Sequence, residues 1–517
     1  MSAQIRDILQ PSMEEHADVT ALRWPVKKET EECTYKELWE NVTLVRSALL
    51  RRGLAGSRVA MTGAASASWI TAFLSTLTGP MTAVPLDVNL PLQEKIELLQ
   101  RSHAALLFIG RELAGDAEAI LSGCPELKEI VILEKAPANA DGRKTLGDMI
   151  LEETGKELLD GVPEEEDIAV LLYTSGTTGK SKGVLLTQKN LSENCRYTKV
   201  HCHPGLVLLS VLPVHHAFCL VLDYLKALSL GATVVINDSL MHLLKNMKRF
   251  SPEIMLMVPL MIETIGKKLL SLDPSLPAEA VKAEVFGPNL RVIYSGGAHL
   301  NPTYITLFKK FGVDIFEGYG MSECSPVISQ NTDEEHRPGS VGKPLENAKV
   351  RIEDGEILVQ GSSVMKGYDE MEEVTRETLR GGWLHTGDLG YLDEDGYLFL
   401  TGRCKNLIIL ANGENVSPEG IEAELTKSPL VGEAVVSGED GTLTARIFPD
   451  PDVAKAMGLN GEAIQTKLQE IIDAFNREQP SWRYVNRLVV RRYPFLKNTT
   501  QKILRAKASM DVPPEQA

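Results

Sequence analysis

Paired cysteines are missing from this chain. Its seven cysteines, at positions 33, 124, 195, 202, 219, 324 and 404, include no Cys-x-x-Cys and are odd in number, which argues against a disulfide framework and predicts reduced thiols. His201-Cys-His203 followed by His215-His216 invites a zinc reading, but adjacent residues on a strand point to opposite faces and the usual ligand spacing is absent. Positive charge is short as well: 54 basic against 70 acidic residues leave a net charge of -16, which disfavours general nucleic-acid binding. The start, Met1-Ser-Ala-Gln-Ile-Arg-Asp7, lacks the charged and apolar regions of a signal peptide. No apolar run is long enough to span a bilayer, because the longest stretch, residues 206–236, is interrupted by His215, His216, Asp223 and Lys226 and reads as strand, loop and helix. A cytoplasmic location with no transmembrane segment is the expectation. Internal repeats and low-complexity tracts are also absent.

What remains is a large α/β pattern. A chain of 517 residues exceeds one ordinary core and predicts two or more domains. Thr34-Tyr-Lys-Glu37 has the form of a capping box, and Leu38, Val42, Val45 and Leu49 follow at helical spacing. The segments 58–61, 82–86 and 104–109 read as short buried strands separated by helices, which implies parallel strands covered by helices. The texture changes near the end. Residues 433–447 form two alternating runs joined by Asp440-Gly441, a hairpin signal, and a helix over 462–477 and a strand over 485–490 follow. The expected architecture is therefore a large N-terminal domain of helix-covered sheets, residues 1–402, and a small mobile α+β domain, residues 403–517.

Leu171-Leu-Tyr-Thr-Ser-Gly-Thr-Thr-Gly-Lys-Ser-Lys-Gly183 is the most informative stretch. Glycines at 176, 179 and 183 allow the backbone close to an anion, Thr174, Ser175, Thr177 and Thr178 offer hydroxyl donors, and Lys180 and Lys182 offer charge. It is not a Walker A loop. Thr174 stands where the first glycine should be, and residues 183–187 read as strand, whereas a Walker loop runs into a helix. The loop turns between two strands and is built to hold phosphate.

That loop resembles the signature of the adenylate-forming superfamily, which contains acyl-CoA synthetases and peptide-synthetase adenylation domains. Further motifs occur in the superfamily's order: Leu212-Pro-Val-His-His216, Ser295-Gly-Gly-Ala298, Glu317-Gly-Tyr-Gly-Met-Ser-Glu323, Gly382-Trp-Leu-His-Thr-Gly-Asp388, Gly402-Arg-Cys-Lys405, Gly413-Glu-Asn-Val-Ser-Pro418 and Lys497-Asn-Thr-Thr-Gln-Lys-Ile-Leu-Arg505. The resemblance covers nearly the whole chain from Thr34 onward. It implies activation of a carboxylic acid by ATP to an acyl adenylate with release of pyrophosphate, then transfer to a thiol.

Residue by residue, the resemblance implies that Thr174, Ser175, Gly176, Thr177, Thr178, Gly179 and Lys182 hold phosphates and that Glu323 holds magnesium, a role suited to a hard oxygen ligand. Ser322, where relatives more often have Thr, keeps a hydroxyl for a phosphate. Tyr319 would stack on adenine, with Gly296, Gly297, Ala298, Glu317, Gly318 and Gly320 lining the purine pocket. Asp388 would accept hydrogen bonds from the ribose hydroxyls, with Arg403 beside the sugar and Asn415 in the same nucleotide set. Lys502 matches the catalytic lysine, whose charge lies between the carboxylate and the α-phosphate. Lys405 occupies the hinge position about which the small domain rotates between the two half-reactions. His216 matches the residue at the mouth of the acyl pocket, although a core histidine satisfies the sequence equally well.

Departures from the pattern narrow the branch. Ser181, Asn406 and Gln501 replace the usual proline, acid and glycine, and Ile409 stands where many relatives carry lysine. None removes a charge from the adenylation step, and together they resemble the long-chain fatty acid CoA ligase branch. Ala217-Phe-Cys-Leu-Val221 offers no carboxylate for a substrate amine, which disfavours an amino acid. The Met-rich segment 254–261 suits either an acyl tunnel or a core. The expected reaction joins a medium- or long-chain fatty acid to CoA with ATP and Mg2+. The alternative is a ligase that loads an acyl or aryl acid onto a carrier protein.

Overall fold

A computed structural model of the protein describes residues 4–135, 142–174, 181–273, 275–410, 414–439, 441–497 and 503–513. Two large sheets form the body. In a seven-stranded sheet, Thr82–Leu86, Arg58–Thr62, Ala104–Ile109 and Glu129–Ile132 run parallel with Ile168–Thr174, while Lys182–Thr187 and Gly367–Tyr368 add antiparallel at one edge. The nine-stranded sheet carries a parallel centre from Asp314–Gly320 through Val292–Ser295, Ile254–Met257, Val207–Ser210 and Thr233–Ile236 to Thr20–Val26. The Met-rich strand Ile254–Met257 is entirely buried at this centre, so its side chains are core.

The local signals act as expected. Thr34 Oγ1 accepts from the Glu37 backbone N–H at 3.2 Å, and the Glu37 carboxylate accepts from the Thr34 N–H at 2.9 Å, a reciprocal capping box that starts the helix Tyr35–Arg51. Leu38, Val42, Val45 and Leu49 form its buried face.

A third, five-stranded antiparallel sheet follows, in which Trp383–Leu392 pairs with Glu356–Gly361 on one side and Leu398–Arg403 on the other. The small C-terminal unit has its own core, made by Val431–Glu439, Thr442–Pro449 and Val485–Val490 with the helices Pro418–Leu425 and Gly461–Arg477. Gly402 sits where the two units meet; a Cβ there would overlap Ser417, whose hydroxyl donates to the Thr401 carbonyl at 2.6 Å. Lys267, on the helix Pro259–Leu270, reaches Asp450 of the small unit at 2.5 Å, and Asn301 Nδ2 donates to the Thr426 carbonyl at 3.0 Å. Among the described residues no helix is long and apolar enough to cross a membrane.

One stretch differs from an ordinary helix. Cys219–Lys226 is a π-helix, fully buried, and widens the turn just after His216. It carries Asp223, whose Oδ2 accepts from Ser210 Oγ at 2.7 Å and from the Cys219 thiol at 3.5 Å. Burial pushes this carboxyl up to about 7, and the two hydrogen bonds offset only part of that. Its ordinary value is 3.8, so the folded protein holds a proton that the unfolded chain releases. The resulting stabilisation is complete below about pH 4 and is lost as pH rises through about 7. Melting temperature should therefore fall between pH 5 and pH 8, and Asp223→Asn should flatten that fall, by the equivalent of roughly 2–4 kcal/mol. Parallel pH–melting curves for the two proteins would show that Asp223 carries no proton linkage.

Candidate active site

The site draws residues from all three sheets. Strand Ile168–Thr174 ends at Thr174 and the return strand Lys182–Thr187 begins at Lys182; the two residues face each other in register, with Thr174 Oγ1 3.5 Å from the Lys182 carbonyl. The loop between them holds Ser175, Gly176, Thr177, Thr178 and Gly179, and these lie outside the described residues. Both of its anchors are nonetheless fixed by the antiparallel ladder.

Lys182 extends over the ring of Tyr368, with Nζ 4.8 Å from the centroid, and the Tyr368 hydroxyl donates to Glu323 Oε1 at 2.8 Å. Tyr368 is a site residue that sequence reasoning missed. Gly-Tyr is too common a pair to flag it, and only the pairing of Gly367–Tyr368 with Leu185 and Val184 brings it beside Lys182. Glu323 lies in a short 3-10 turn, Ser322–Cys324, and is 9% exposed. Among the described residues no lysine, arginine or histidine is within ion-pair distance of it. A nearly buried carboxylate without a cationic partner is costly unless a cation joins it, and its oxygens are the hard donors that Mg2+ takes. The donor set fits a magnesium held by one carboxylate and by phosphate oxygens.

A second cluster lies on Asp314–Gly320 and the five-stranded sheet. Tyr319 OH donates to Asp388 Oδ2 at 2.8 Å, and Arg403 Nε is 2.8 Å from Asp388 Oδ1. Asp388 and Arg403 are direct partners in the ladder of adjacent strands. Burial, with the Asp388 carboxylate close by, pushes the Tyr319 hydroxyl well above its ordinary range, so it remains a donor. The Asp388 carboxylate is the type of acceptor that a vicinal diol needs. Gly320 precedes this cluster's exit, and a Cβ there would overlap the Pro326 carbonyl.

Lys405 joins both clusters. Burial, then the Arg403 and Lys182 charges, hold its ammonium below the ordinary range, while Asp388 and Glu419 oppose them. Lys405 thus feels the charges of Lys182 and Arg403 together with those of the Asp388 and Glu419 carboxylates, and Arg403 pairs directly with Asp388; lysine and arginine are the side chains that suit phosphate.

The remaining residues are placed as follows. Gly296 follows Val292–Ser295 and lies against the Phe218 ring and the Gly318 carbonyl; Gly297, beside Ala298, has φ +86°. Burial pushes the Glu317 carboxyl up to about 7, and its carbonyl accepts from Asn331 N and Nδ2 at 2.9 and 3.1 Å. The His216 ring centroid is 4.2 Å from that of His215, and it is His215 Nε2 that approaches Asp87, at 3.6 Å. Asn415 is exposed on a two-residue strand paired with Ile408–Ile409, and no described contact links it to the cluster. Lys502 lies outside the described residues.

Comparison with known proteins shows the family. The family model described as AMP-binding enzyme matches residues 9–369, and the AMP-binding enzyme C-terminal domain matches residues 405–511. The chain is 30% identical to a long-chain-fatty-acid–CoA ligase, FadD15, of Mycobacterium bovis over 78% of its length and 76% of that protein. It is 32% identical to an oxalate–CoA ligase of Arabidopsis thaliana over 74% of its length and 76% of that protein. In fold it is similar to the crystal structure of the anthranilate CoA ligase AuaEII in complex with anthranoyl-AMP, with TM-score 0.85, 24% identity, and coverage of 98% of this chain and 99% of that one.

Proposed function

The chain belongs to the AMP-binding enzyme family and is an AMP-forming acid–thiol ligase, and from that premise we propose that its acid is a medium- or long-chain fatty acid and its thiol that of CoA. The observation that supports the nucleotide half of this reading is the Tyr319–Asp388–Arg403 cluster, with Lys405 within electrostatic reach of Arg403 and Asp388, together with the nearly buried Glu323 carboxylate that accepts from Tyr368.

In the first half-reaction a carboxylate oxygen forms a bond to the α-phosphorus of ATP as the bond to the β-phosphate oxygen breaks, and pyrophosphate leaves. Two anions must meet for this, so the chain's main task is neutralisation. Lys182 is proposed to neutralise phosphate charge. Asp388, oriented by Tyr319 and Arg403, holds the ribose and so fixes the α-phosphate relative to the acid. Glu323 would hold a magnesium ion, whose charge would be available to the phosphate oxygens. Lys502 is proposed to stabilise charge developing at the α-phosphate. In the second half-reaction the thiol sulfur attacks the acyl carbonyl and AMP leaves; Lys405, at the junction of the two units, is the proposed pivot between poses.

Support for a fatty acid comes from the relatives named as long-chain-fatty-acid–CoA ligases and from the lack of a carboxylate in residues 217–221 that would receive an amine. The test is a chain-length series. Each added methylene buried in an apolar pocket contributes about 0.8 kcal/mol, or roughly fourfold in kcat/KM, until the pocket is full. Pyrophosphate release should climb along the saturated acids and then level off. A flat alkyl response with strong turnover of benzoate-type, dicarboxylic or amino acids would overturn the fatty-acid assignment and leave the adenylation chemistry standing.

A further inference from the structure

Well away in sequence from the residues of that site, the helix Leu243–Phe250 presents an unusual outer face. Leu243, Asn246, Met247 and Phe250 form its buried side. The 3-10 turn Leu240–His242 leads directly into it, so Met241, Lys245 and Lys248 follow one another at helical spacing on the opposite, exposed stripe. Met241 is 94% exposed and Leu240 58%. Lys245, Lys248 and Arg249, with Lys268 from the neighbouring helix, line a shallow groove of about 500 Å3, none of whose lining residues belongs to the adenylation cluster.

The charges here are mostly unspent. Lys248 pairs with Glu284. Arg249 donates to the carbonyls of Lys27, Lys28 and Glu29 and thereby draws the exposed Lys27–Lys28 turn onto the same face. Among the described residues, Lys27, Lys28, Lys245 and Lys268 have no acidic partner within ion-pair distance. A cluster of this sign, with Glu284 as the one acidic residue lining the groove, runs against the balance of a chain of net charge -16, and the exposed Leu240 and Met241 directly precede the helix that carries Lys245 and Lys248. A soluble polyanion would use the lysines but leave Leu240 and Met241 in water. A bilayer rich in anionic lipid offers both partners at once: phosphates at the level of the ammonium groups and hydrocarbon just beneath, with the lysine stems spanning the two.

We propose that this face docks the protein reversibly on anionic membranes, with Lys27, Lys28, Lys245 and Lys268 at the headgroups and Leu240 and Met241 in the interface. The inference is independent of the acid substrate, since docking needs neither ATP, acid nor CoA. The experiment is co-sedimentation of the full chain with phosphatidylcholine vesicles, with and without phosphatidylglycerol. Binding should require phosphatidylglycerol and weaken with added salt. The double variant Lys245→Ala/Lys268→Ala should partition roughly tenfold less or worse. Met241→Ser, at a position with no packing to lose, should also lower partitioning while its melting temperature stays that of the parent. Equal sedimentation with both vesicle types, no sedimentation with either, or undiminished binding of the lysine double variant would overturn the proposal.

Discussion

Glu323→Gln should leave the fold intact and lower magnesium-dependent pyrophosphate release by about 10²–10³-fold, the usual effect of losing one preorganised charge contact at a reacting phosphate. The structural reason lies in what the substitution keeps. The amide oxygen still accepts from Tyr368 OH, which is 2.8 Å away, and side-chain volume is unchanged. Only the negative charge goes, and with it the donor for a hard cation. The measurements are a melting curve and a magnesium titration of pyrophosphate release. An unmoved melting temperature with a raised magnesium requirement is the expected pair. A lowered melting temperature would make Glu323 structural, and an unchanged magnesium requirement would place the metal elsewhere.

Lys502→Ala should produce a comparable loss, about 10²–10³-fold, but in one half-reaction only. Acyl-adenylate formation should collapse while a supplied acyl adenylate still reacts with CoA, because the lysine's charge matters only while charge develops on the α-phosphate. The described residues on either side of it are held to the rest of the small unit: Lys497 reaches Glu433 at 2.7 Å, and Arg505 pairs with Glu422. Contacts of the small unit with the body, such as Lys267 with Asp450, belong to one pose, and the second half-reaction would need another. Separate assay of the two half-reactions decides the matter. Equal loss in both would show that Lys502 supports the fold or that both steps use a single pose.

Much of this site was legible in the residues alone, wherever neighbours a few positions apart determine the structure. The capping box at Thr34, the strand–loop–strand that turns at residues 174–182, and the hairpin of Val431–Glu439 with Thr442–Pro449 are all set by local hydrogen bonding and period-two patterning. The ordered motifs placed Glu323, Tyr319, Asp388 and Arg403 among the nucleotide-binding candidates.

Tertiary structure decided the partnerships, because these join groups far apart in the chain. Tyr319 meets Asp388 across 69 residues and Tyr368 meets Glu323 across 45, distances over which no periodicity carries information. The same holds for Lys405, whose charge is read only once Lys182 and Arg403 stand beside it. The π-helix at Cys219–Lys226 was likewise invisible, since its apolar run suits an α-helix as well, and the hydrogen bond of its Asp223 to Ser210 joins residues that no periodicity relates. Sequence thus determined which chemical groups are present and their local frames; the sheet registers determined which of them share a site.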